Sequence, residues 1–189
     1  HKYGLHVLSA WAMGDSLETL QMAGTAEVNL VVSAVGLRAA KVLQEKYGTP
    51  YVIGTPNEWL AENISKRMEN AIEQLSSAFI PEAVYLKDRI QTSVEITLIG
   101  EPVTMGSLAA GIEKVYGRSA RVFCPLKECE NLIGEKDAIV LGEEAMEKAL
   151  KDAKIIVADP LYRPIAPKDC EFYELPHVAF SGRIFLSRF

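Results

Sequence analysis

Residues able to do chemistry are sparse in this sequence, and their spacing limits what they could do. Cys124 and Cys129 enclose four residues (CPLKEC), a looser gap than a zinc knuckle, and no second ligand pair follows at finger spacing. Cys124 also closes the apolar run ARVFC, where a small buried thiol is common, so the pair reads as structural rather than metal-binding. Cys170, beside Asp169, reads as a loop thiol. His177 stands out: it follows Leu175–Pro176 and precedes Ser181–Gly182. An imidazole there can ligate metal, move protons near neutral pH, or hydrogen-bond its own turn, and the residues leave all three open. Ser33 has no nearby base in sequence, so nothing beyond position supports a nucleophile. Gly100-Glu101-Pro102 lacks both the glycine spacing of a dinucleotide fingerprint and the lysine of a Walker loop, and Glu101 would repel a phosphate. A nucleotide site of standard type is not expected.

These residues must be positioned by an alternation of β-branched runs and helical patterns. Gly4–Ala12 reads as a strand carrying His6, and Asp15 or Ser16 then offers a helix cap. VNLVVS (28–33) is too continuous to face water and predicts a strand buried on both faces. Leu37, Ala40, Leu43 and Tyr47 form one helical stripe, ended by Gly48, and Pro50–Thr55 returns as a strand. Residues 58–79 read as a long amphipathic helix with Leu60, Ile64, Met68, Ala71, Ile72 and Leu75 on its buried side. The pattern then restarts: VEITLIG (94–100), a helix with Met105, Leu108, Ile112 and Tyr116 on one side, Gly117, and ARVFC (120–124). Further strands are predicted at 138–141, 154–158 and 171–175, a helix at 143–153, and a closing helix from Ser181. One βαβ unit is written twice, which predicts an α/β fold of two small, doubly wound, mainly parallel-sheet, Rossmann-like domains, 1–90 and 93–189.

Composition excludes several classes of function. The 189 residues are 49% hydrophobic and 24% charged, an ordinary globular mixture that can bury a core. The net charge is −5, with acid in excess in both halves, so nucleic acid is not an expected partner. No apolar run approaches the roughly 18 residues of a membrane span, so no membrane partner is expected either. Three cysteines without a leader-like N-terminus predict a reduced, cytoplasmic protein. The chain also reads as a piece of a longer protein.

AEVNLVVSAVGLRAAKVLQEKYGTPYVIGTP (26–56) resembles the middle domain of nitrogenase component 1 and its relatives, among them cofactor-assembly scaffolds and the dark-operative protochlorophyllide and chlorin reductases. VEITLIGEPVTMGSLAAGIEKVYGRSARVF, ADPLYRPIAP and LPHVAFSGR are similar to that family's last domain, so the resemblance covers nearly the whole chain. Asn29-Leu30-Val31 through Tyr47-Gly48-Thr49-Pro50 is its most distinctive block, with Thr49 where isoleucine is usual. The resemblance implies a homologous component 1 subunit as partner. It also implies a separate ATP-dependent iron–sulfur protein that supplies electrons, and an iron–sulfur or other metallocluster, or a tetrapyrrole, enclosed between α/β domains of the full-length complex.

Two departures qualify what can be carried over. The bridging-cluster cysteines belong to a first domain that this sequence does not contain, so no cluster is expected in this fragment alone. The cofactor-anchoring cysteine follows the Asn-Leu-Val strand by two residues, and Ser33 stands there instead, a hard oxygen in place of a soft thiolate. The family's second cofactor ligand, a histidine before Ser-Gly, is matched by His177, although the interval to Ser181 is one residue short. Dinitrogen reduction is therefore not expected.

The leading expectation is a nitrogenase-like oxidoreductase subunit with a cleft between its domains, lined by Ser33, Asn57, Glu101 and His177 as cofactor-binding residues. His177 is the expected metal ligand or proton-transfer group. The alternatives are a non-catalytic scaffold or carrier of the same fold, and a small-molecule binding module that closes like a clam shell.

Overall fold

In the computed structural model, which describes residues 3–74, 79–87, 89–127 and 129–177, the sequence echo becomes a structural one. Asn29–Val31 (β1), Leu37–Tyr47 (α2) and Tyr51–Ile53 (β2) form a βαβ unit with the strands parallel and in register. Ile96–Ile99 (β3), Pro102–Tyr116 (α4) and Ala120–Cys124 (β4) form a second. Both helices end on a left-handed glycine, Gly48 at φ 73° and Gly117 at φ 63°, whose N–H closes the last turn. The chain divides into two compact units, His1–Val84 and Tyr85–Phe189, slightly ahead of the boundary read from the sequence. Tyr85 belongs to the second unit because its ring is fully buried against Gly106 of α4 and its hydroxyl donates to the Leu132 carbonyl.

The second unit carries a five-stranded, all-parallel sheet in the order β5-β4-β3-β6-β7, with β5 at Ala138–Ile139, β6 at Ile155–Ala158 and β7 at Glu171–Glu174. The order reverses at β3, so crossovers leave toward both faces, which is the doubly wound arrangement. Strand alternation builds the two cores. Leu98, Val122 and Val157 meet Met105 and Ala109 of α4 on one face. Ile99, Phe123, Ile156 and Ala158 meet Met146 and Leu150 of α5 (Glu143–Leu150), with Tyr162 and Ile165, on the other.

The first unit is simpler than its sequence suggests. Its described residues form one two-stranded parallel sheet, extended by a bridge between Ile53 and Ala83, rather than a doubly wound sheet. The strand expected at Gly4–Ala12 is absent there. Its residues run as turns and bends that close on themselves, with the Ala10 N–H on Asp15 Oδ2 and Ala12 at φ 62°. A strand needs a partner edge, and hydrophobicity alone did not supply one: Val7 and Trp11 are exposed. His6 therefore lies in irregular backbone. Ser16 caps the short helix α1 (Leu17–Gln21). β1 is shorter and less buried than predicted, since Val32 is exposed. The long helix is α3, Ala61–Glu73, preceded by a turn over 58–60 that Asn57 caps, its side chain accepting the N–H groups of Trp59 and Leu60. Leu75 and the closing helix from Ser181 lie outside the described residues.

Candidate functional site

In open parallel sheets the ligand crevice lies beyond the carboxyl ends of strands, where the chain order switches direction. In the second unit that point is between β3 and β6. The segment after β3 enters α4 on one face, while the segment after β6 enters the helical turn Pro160–Ile165 against the other. Each flank is closed by an acidic side chain. Glu101, 9% exposed, accepts the N–H groups of Val103 at 3.1 Å and Thr104 at 2.8 Å, with Pro102 in the first helical position. Asp159, 4% exposed, accepts the Leu161 N–H at 3.0 Å and the His177 N–H at 2.7 Å.

Glu101 thus sits where a Rossmann-type helix offers its amides to a phosphate. The carboxylate supplies the anion itself. It neither faces solvent nor presents both oxygens to a ligand. Replacing Glu101 with alanine removes the cap and is expected to lower stability by about 0.5–2 kcal/mol, read as a fall in urea midpoint. A midpoint equal to wild type would show that the cap contributes nothing.

Ser33 and Asn57 lie in the first unit, each just past the end of one of its two parallel strands. Ser33 follows β1 by two residues and is partly exposed; its side chain caps no helix. Thr55 Oγ1 donates to the Val32 carbonyl at 2.8 Å and ties the two strand ends together. Asn57 is committed to the turn before α3. His177 is exposed, beyond β7, with its backbone held at the end of β6. Glu101 and His177 thus both lie at the rim of the second unit, although β6 separates their strands. Asp159 opens one of the strand-end segments that the sequence offers to a ligand. Its signal was present in Asp159-Pro160 directly after a β-branched run, an acidic cap followed by proline at the first helical position.

All three cysteines lie in the second unit, two of them buried and one half-buried. Burial pushes the Cys124 thiol up to about 12, and its Sγ lies 3.7 Å from the Leu126 carbonyl. Cys129 is buried as well, and burial raises the Cys170 thiol. Among the described residues no three His, Cys, Asp or Glu side chains converge on one point, and no helix is long and apolar enough to cross a membrane. In comparisons with known proteins, no protein-family model and no curated protein matches the chain.

Proposed function

We propose that this chain is part of a nitrogenase-like oxidoreductase subunit that walls in a tetrapyrrole, or a metallocluster ligated elsewhere in its complex. A homologous subunit would complete the enclosure, and a separate ATP-dependent iron–sulfur protein would supply the electrons. One observation supports this reading above others. The two residues that the resemblance aligns with cofactor ligands, Ser33 and His177, each lie just beyond the carboxyl end of a parallel strand, the position from which such sheets contact ligands. Self-capping by Glu101 agrees with the division of labour, since it leaves the α4 terminus no phosphate cradle.

Iron protoporphyrin IX is a direct probe, because axial imidazole shifts its Soret band. Saturable binding with that shift is expected, lost in His177→Ala at an unchanged melting temperature. Failure to bind, or binding indifferent to that substitution, sinks the reading.

A second reading, a small-molecule binding protein of the same fold, has its own observation. A half-open cavity of about 300 Å³ lies past the ends of β4 and β5, lined among others by Pro125, Val140, Met146, Leu161 and Tyr162. That volume is at the small end of ligand pockets. Ligand binding that survives His177→Ala and is lost in Leu161→Trp would favour it.

A further inference from the structure

Asp159 does more than cap a turn. Its bond to Leu161 is local, two residues along the chain, and a hydroxyl could make it equally well. Its bond to His177 spans eighteen residues, is short at 2.7 Å, and serves no helix. The ladder between β6 and β7 extends past the strands through the Leu175 N–H on the Ala158 carbonyl at 2.8 Å. The carboxylate continues it, holding the chain two residues further on. A group with two acceptor oxygens is needed to serve the turn and the distant amide together.

We propose that Asp159 is a positioning residue for His177. It fixes the histidine's Cα at the carboxyl end of β6, beside the switch point, so that the imidazole is presented from a rigid base. The inference rests on the reading that His177 meets the ligand.

Asp159→Ser separates the two bonds, since serine retains a cap and is too short to reach His177. The sequence holds three histidines, so ¹⁵N-histidine labelling resolves the amide and ring of His177. In Asp159→Ser the melting temperature should stay near wild type, while exchange of the His177 amide accelerates about tenfold or more, in line with loss of one charge-assisted bond. Affinity for iron protoporphyrin IX should fall by a similar factor, and adding His177→Ala should weaken it no further than His177→Ala alone. Leu161→Pro deletes the cap N–H and should leave the His177 signals unchanged; it also decides the matter if the serine variant fails to fold. Unaltered His177 exchange in Asp159→Ser, or the same His177 perturbation in Leu161→Pro, overturns the proposal. A wild-type chain that binds no porphyrin would sink the proposed function alone, because the amide exchange still decides the role of Asp159.

Discussion

Replacing Glu113 with alanine is expected to cost about 3–5 kcal/mol, a large part of the roughly 5–15 kcal/mol that holds a domain folded. Glu113 lies in the last turns of α4 and is 3% exposed. Its Oε1 accepts the Ala120 N–H at 2.9 Å and Lys136 Nζ at 3.0 Å; its Oε2 accepts Arg89 Nε and the Ile90 N–H, both at 2.9 Å. Truncation would strand two backbone donors and leave the buried Arg89 guanidinium with Asp137, at 3.6 Å, as its remaining carboxylate. Lys136 would keep the Ser119 hydroxyl and the Ile90 carbonyl. Removing one partner of a buried pair costs far more than the pair contributes net, because the other charge stays desolvated. Urea unfolding measures it, and a loss below about 1 kcal/mol would show that the network relaxes around the gap.

The same carboxylate gives the second unit an acid limb. Burial alone would favour the neutral form, but the amides of Ala120 and Ile90, with Lys136 and Arg89, outweigh it and hold the Glu113 carboxyl below the ordinary range. Because the folded value lies below the unfolded one, the stabilisation is complete above the unfolded value of about 4.3 and is lost as pH falls through the folded one. Glu113→Gln should therefore be less stable at neutral pH and show a flatter decline into acid than wild type.

That network was not legible in the sequence. Glu113 pairs with Arg89 and Lys136 at separations of 24 and 23 residues, so no local spacing announces it, and each residue alone looks like an ordinary surface charge. The βαβ units were legible for the opposite reason. Their signals are local: an apolar run, a 3.6-residue stripe, then glycine where only a left-handed residue ends the helix. Gly4–Ala12 shows where a local pattern stops deciding structure. It carries the apolar alternation of a strand, yet a strand exists only as part of a ladder, and the Ala10 amide went to Asp15 instead. Glu101 and Asp159 fall between these cases. Their places at the ends of β-branched runs could be read, while their commitment to specific amides depends on backbone direction that the sequence does not state.

Gly106→Ala is expected to destabilise the second unit by about 1–3 kcal/mol, against the intrinsic helix preference for alanine of up to about 1 kcal/mol. A Cβ at Gly106 would lie 2.3 Å from Cε2 and 2.4 Å from Cδ2 of Tyr85, far inside contact distance. Neither side can give way cheaply. Gly106 is in the interior of α4, and the Tyr85 ring is completely buried, with its hydroxyl bonded to the Leu132 carbonyl at 2.8 Å. Swinging the ring out would break that bond and open a void against α4, so strain remains whichever side moves. Tyr85→Ala alone should also destabilise, by a few kcal/mol, because it empties the ring's site. The double variant separates steric strain from general loss of helix quality. With the ring gone the new methyl has room, so the combined loss should fall short of the sum by about 1 kcal/mol or more. Strict additivity, or a Gly106→Ala variant as stable as wild type, would mean that Tyr85 does not set the fit between the residue that opens the second unit and the helix behind its sheet.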